Sequence, residues 1–153
     1  MEASNVATCT PESKTVLKRR QRRKESIKKW SHPVCKAGFT IIPTLLLTKQ
    51  DELGLDPVDI NILLQLAAHW WKADKPPFLA KGTLGRRLGR DASTIRRHVA
   101  SLEKRGFLKR IDRIDDARGR RSNHYDLHPL IDILHPLAIE AIKAKKNKKE
   151  GQR

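Results

Sequence analysis

The reactive side chains of this sequence are mostly cations, and their spacing over Gly85–Gly106 decides what they can do. Ile95, Val99 and Leu102 recur at i, i+4 and i+7, the mark of one apolar helical face. With that face turned inward, a step of about 100° per residue sends Ser93, Arg97, Ala100, Ser101 and Lys104 outward. The outer face then holds two cations, two hydroxyls and a small residue, with no acid. Such a surface suits hydrogen bonding in a DNA major groove. Arg97, and secondarily Ser93, Thr94 and Arg96, are placed to reach base edges. Lys81, Arg86, Arg87 and Arg90, on and around the preceding helix, are placed to meet phosphates and set the register.

Other chemistries find no arrangement to support them. Ser, Cys, His, Asp and Glu are all present, but none forms a catalytic centre, and there is no Walker loop, dinucleotide fingerprint or HExxH. No enzyme activity and no cofactor are expected. Asp112, Asp115 and Asp116 are interleaved with Arg113 and Arg118, which lower affinity for a divalent cation. His32-Pro-Val-Cys35 has no second ligand pair at zinc spacing, so Cys9 and Cys35 read as reduced thiols and no metal is expected. His98 flanks the inward stripe and reads as a packed or phosphate-facing imidazole. No apolar run approaches the ~18 residues of a membrane span, which leaves a soluble, cytoplasmic, nucleoid-associated protein as the expectation.

The elements that position these residues follow from caps and periodicity. Leu84 and Leu88 give a first short helix its stripe, and Gly89 joins it to the second. Asp91 stands at the N-cap of that second helix, and Gly106 at the left-handed position after its end. Phe107–Arg113 alternates like a half-buried strand, with Phe107 and Ile111 on one side, and Asp115–Arg121 is a polar hairpin loop. Ser122–Leu127 returns as the second strand. Upstream, Asp56-Pro57 starts a helix running from Val58 to Trp71, with Ile62, Leu63, Leu66, Ala67 and Trp70 facing inward. Trp70 and Trp71 read as core and rim aromatics rather than base-stacking groups, and Phe78 as a core plug. Gly38–Leu47 is expected to add an edge strand to the wing, with Pro43 at or just after its end. His128-Pro129 opens a last helix, which Pro136 should kink or split. It either packs back on Val58–Trp71 or pairs with its twin in a homodimer through Leu130–Ile142.

Helix, turn, helix and an arginine-tipped hairpin make a mainly α fold with a small β-hairpin wing, a winged helix-turn-helix. The residues Thr83-Leu, Leu88-Gly, Ser93-Thr-Ile-Arg-Arg-His-Val, Leu102-Glu and Gly106-Phe-Leu, with Arg121-Ser-Asn-His-Tyr downstream, carry a family likeness. Over Gly38–Leu127 the chain resembles winged-helix DNA-binding domains of bacterial transcriptional regulators, and those of plasmid and phage replication initiators. Gly38-Phe-Thr-Ile-Ile-Pro43 is similar to the opening strand of the second group. Arg118, Arg120 and Arg121 at the wing tip would then lie in or over the adjacent minor groove, where negative potential favours arginine.

The charge distribution agrees. The 153-residue chain has a net charge of +16, and residues 81–121 hold fourteen basic against five acidic residues, a net of +9. Residues 1–37 carry +7, residues 138–153 carry +4, and the remainder carries −4. A basic face set against an acidic back is the footprint of a phosphate-binding surface. Three parts are expected: a basic N-terminal arm without fixed structure (1–37), the winged helix-turn-helix (38–128), and a C-terminal helix with a basic tail (129–153). The arm's run Lys18–Lys29, with Glu25 as its one acid, either tracks phosphates or is a solvated tail. The leading functional expectation is a sequence-specific double-stranded DNA-binding protein acting as a transcriptional regulator. The alternative is a replication initiation or mobile-element accessory protein that marks an origin and recruits replication machinery. RNA binding through the arm is a third.

Overall fold

A computed structural model describes residues 21–22, 24–112, 114–115, 119–120 and 123–150. The chain divides at residues 39 and 40 into two compact units. In the first, residues 24–30 are helical, with Lys28 and Glu25 paired at 2.9 Å one turn apart. After a break at Ser31, α1 covers His32–Ala37. Residues 24–30 and 32–37 of the arm are thus helical.

The second unit is built from α2 (Thr44–Thr48), α3 (Pro57–Ala68), α4 (Lys81–Leu88), α5 (Ala92–Lys104) and α6 (His128–Glu150). Between α5 and α6 lie β1 (Lys109–Ile111), β2 (Ile114–Asp115), β3 (Gly119–Arg120) and β4 (His124–Asp126). β1 and β4 pair antiparallel with Lys109 opposite Asp126 and Ile111 opposite His124, and β2 pairs with β3 further out. This is a winged helix-turn-helix. Its core joins Ile62, Leu63 and Leu66 of α3, Leu84 of α4, Ile95, Val99 and Leu102 of α5, and Tyr125 of β4.

Local chemistry explains the helix ends. Asp56 caps α3 by accepting the Asp59 N–H at 2.7 Å, with Pro57 at the first helical position. Gly106, at φ 77°, follows α5, and its N–H donates to Glu103 O at 3.0 Å while Phe107 N–H donates to Leu102 O at 2.9 Å. That is a Schellman stop, and its apolar partners Leu102 and Phe107 are both buried.

Three expectations are corrected. Gly38–Leu47 forms no strand: Pro43, at φ −63°, leads into α2, whose Leu46 is buried and which packs against α6. Pro43 has no N–H to give a sheet ladder, and its fixed φ suits a helix start. The third place in the sheet is taken instead by Phe78, bridged to His124, with Tyr125 N–H donating to Pro77 O at 2.8 Å. Phe78 is therefore not the core plug. It is 54% exposed while Leu79 is 8% exposed, because strand alternation turns neighbours to opposite faces. In the same way Phe107 is buried in the turn before β1, whereas Ile111 is exposed on its outer side. Of the two outcomes expected at Pro136, a kink or a split, the split does not occur, and α6 runs on through it. Pro136 and Asp132, whose carbonyl loses its donor four residues on, are both exposed, so water can take the missing bond. Leu130 and Leu134 of α6 join the domain's own core, leaving Ile131, Ile139 and Ile142 exposed.

Gly85 sets the closeness of the helix-turn-helix. A Cβ there would lie 2.5 Å from the Arg90 backbone oxygen, and Arg90 N–H donates to Gly85 O at 2.9 Å. Gly89, left-handed at φ 62°, makes the reversal between them. Gly85→Ala should therefore lower stability by about 1–3 kcal/mol, since backbone must move to admit the methyl. Gly82→Ala in the same helix meets nothing within 4 Å. It should be neutral or gain up to about 1 kcal/mol from helix propensity. Urea unfolding of the two variants checks the pair, and equal effects would contradict the close approach.

Candidate nucleic-acid interface

The phase of α5 is set by its buried side. Ile95, Val99 and Leu102 are fully buried, and Arg96, Arg97, Ala100 and Lys104 are exposed on the far side, with Ser101 half-buried at its edge. At the start of the helix Ser93 and Thr94 are already engaged. The Ser93 hydroxyl donates to Asp91 Oδ1, Thr94 N–H donates to the same oxygen at 2.8 Å, and Thr94 Oγ1 donates to Oδ2 at 2.7 Å. The hydrogen bond from Ser93, then those from Thr94, hold the Asp91 carboxyl well below the usual carboxylate range. These hydroxyls build the cap of the recognition helix, and Arg96, Arg97 and Lys104 are its outward cations.

On α4, Arg86 is exposed and its Nη2 donates to Thr83 Oγ1 at 3.3 Å. Arg87 turns onto α3, donating to Gln65 Oε1 at 2.8 Å with His69 Nε2 3.4 Å away. Arg87 and Arg90 flank a groove of about 330 Å³ floored by Pro57, Val58 and Leu88. Lys81 is half-buried at the first position of α4. Of the wing-tip arginines, Arg120 stands in β3 opposite Ile114, while Arg118 and Arg121 lie outside the described residues.

Sequence reasoning missed the ion cluster beneath this surface. Asp59 is 3% exposed. Its Oδ1 lies 2.8 Å from His98 Nδ1, and its Oδ2 accepts from Arg105 Nη1 at 3.2 Å. Arg105 Nη2 donates to Leu53 O and Gly54 O, both at 2.7 Å, and the guanidinium sits 4.8 Å over the Phe107 ring. His98 is thus the packed imidazole of the two roles open to it. Asp56, Asp59 and His98 bring three ligand atoms within 4.8 Å of one another. Arg105 already neutralises Asp59 there, so the group works as an ion-pair network. A signal existed in Asp56-Pro-Val-Asp59, which places a second acid in the first turn of α3, but nothing local names its partners about forty residues on. At the C-terminal end of α5, Glu103 accepts from Arg110 N–H at 2.9 Å and from its guanidinium. That hydrogen bond holds the Glu103 carboxyl below its ordinary value and fastens the helix to β1.

The fold and the cationic outer side of α5 define a winged helix-turn-helix protein with an exposed recognition helix. Residues 42–149 match the DnaD N-terminal domain family, and the chain belongs to that family. Among solved structures, it is similar to the N-terminal domain of DnaD protein from Geobacillus kaustophilus HTA426. The TM-score is 0.52 at 21% identity, over 80% of this chain and 96% of that one, a likeness of fold. A possible transcriptional regulator from Methanosarcina mazei Go1 matches at 20% identity and a TM-score of 0.40, over 64% of this chain and 82% of that one. That likeness carries no weight. No curated protein matches. Fold and family together support a DNA-binding, replication-related role. Among the described residues no helix is long and apolar enough to cross a membrane.

Because the buried carboxylate holds α5 against α3, Asp59→Asn should leave Arg105 and His98 poorly paired and lower stability by about 3 kcal/mol. Asp56→Asn keeps a cap oxygen at a site whose side chain is 49% exposed, and should cost less than about 1 kcal/mol. Urea midpoints compare them, and similar losses would show that Asp59 acts only as a helix-start residue.

Proposed function

We propose that this chain is a replication-associated protein that binds double-stranded DNA, with α5 in the major groove and the wing over the neighbouring minor groove. The observation that carries the reading is the sorting of α5: three apolar residues fully buried on one side, and Arg96, Arg97 and Lys104 exposed on the other. Arg97 has the five donors of a planar fork and can take guanine O6 and N7 together. Lys81, Arg86 and Arg90 set the register on phosphates. The basic arm and the basic end of α6 add affinity without reading sequence. Membership of the DnaD N-terminal domain family favours the replication role over that of a transcriptional regulator. A second copy would meet this one through the exposed Ile131, Ile139 and Ile142 of α6, since Leu130 and Leu134 serve the domain's own core.

Selection of bound sequences from a random duplex pool tests the reading. Arg97→Ala should cost about 1–3 kcal/mol on the preferred site and relax the choice at one base pair, leaving non-specific binding nearly intact. Arg97→Lys should restore little of that preference. If affinity falls evenly while every position keeps its preference, Arg97 contacts a phosphate instead. With about six phosphates neutralised, log K should fall against log salt with a slope near −5. A slope shallower than about −2 would remove this surface from duplex binding.

A further inference from the structure

The connector between α3 and α4 carries aromatic side chains that duplex binding leaves unused. An antiparallel bridge joins Lys72 to Lys75, so Trp71 stands opposite Pro76, and Phe78 follows two residues later on the same face. Burial obeys that alternation. Pro77 and Leu79 are buried, whereas Trp71 is 80% exposed and Phe78 54% exposed. Phe78 bridges to His124, and His124 pairs with Ile111 of β1. Directly opposed residues of antiparallel strands share a face. The Phe78 and His124 rings meet edge to face with centroids 5.6 Å apart, and His124 Nδ1 lies 2.9 Å from Pro76 O, which fixes the imidazole. Trp71, Phe78, His124 and Ile111 thus form a row along the outer face of the sheet, while Trp70 packs against the core and meets the His128 ring.

Cations border the row. Lys72 and Lys75 are exposed in the turn, and Lys109 is exposed on β1. The nearby acids are Asp74 in the turn, Asp112 after β1, and Asp126, whose carboxylate is held by His128 N–H at 2.9 Å. We propose that this row is a stacking platform for unpaired bases, taking single-stranded DNA on the sheet face with Lys109, two residues from Ile111 on the same face, on its phosphates. Aromatic faces accept any base, so such a platform needs no sequence reading. A protein partner is the weaker fit. Each aromatic buries at most about 150–250 Å². A short row of partly covered side chains falls below the roughly 800 Å² per partner of a stable protein interface. No residue of α5 takes part, so the platform and the duplex surface can fail separately.

The test is fluorescence anisotropy of end-labelled oligothymidylate and of a duplex, each titrated with the full chain at low salt. Trp71→Ala should weaken oligothymidylate binding about tenfold and leave duplex affinity within about twofold, and Trp71→Phe should recover most of the loss. Arg97→Ala should do the reverse, lowering duplex affinity alone. Lys109→Gln removes one exposed charge from the platform's face and should weaken oligothymidylate binding several-fold, which keeps the test decisive if an aromatic variant folds poorly. Unchanged oligothymidylate affinity in Trp71→Ala and Lys109→Gln would overturn the proposal. So would equal losses on single strand and duplex, or a loss of self-association in sedimentation with DNA binding intact, which would make the row a protein contact.

Discussion

The Asp59 carboxylate sits where the first core helix, the recognition helix and the approach to the wing converge. A charge at that depth is tolerable only when its partners are close and well aimed. Here there are two: His98 from the middle of α5 and Arg105 from its end. Arg105 extends the arrangement to the carbonyls of Leu53 and Gly54, and lies over Phe107. Replacing such clusters by apolar groups is often neutral for stability, so their value lies in directing geometry. What is directed is the rotation of α5 about its own axis. Apolar contacts alone would tolerate some slip, whereas a carboxylate with two aimed partners permits one angle.

That angle matters because it separates cations that face out from cations already neutralised. Fourteen basic residues lie between 81 and 121. Arg105 is turned to Asp59, and Arg110 to Glu103. Formal charge counts all of these alike, yet only those free of such ties can exchange counterions with a phosphate. The surface offered by α5 is therefore narrower, and better defined, than the net charge implies.

Much of this was legible in the sequence wherever the controlling interaction is local. The Ile95, Val99, Leu102 spacing gave the correct phase, and Asp91, Asp56-Pro57 and Gly106 marked helix ends that do form there, because caps involve residues at most a few positions apart. What escaped notice depends on distant partners. Composition marked Gly38–Leu47 as strand-like, but nothing local says that Phe78 is the one to meet His124. Phe78 and Leu79 are both apolar, and only the sheet decides which turns inward. Nothing local to Gly85 says that the Arg90 backbone lies against it. Asp59, His98 and Arg105 follow no period at all.

The stop of α5 and the start of the wing share the same few residues. Gly106 and Phe107 close the helix, and Glu103 holds Arg110 one strand position into the sheet. Helix and hairpin base are consequently one rigid bracket with no hinge between them. Length can vary between β2 and β3 without altering the bracket's pitch, whereas one residue added between Leu102 and Arg110 would swing the hairpin off its bearing. A chain built on this bracket is free to lengthen or trim the stretch between β2 and β3, and bound to preserve the spacing at its root.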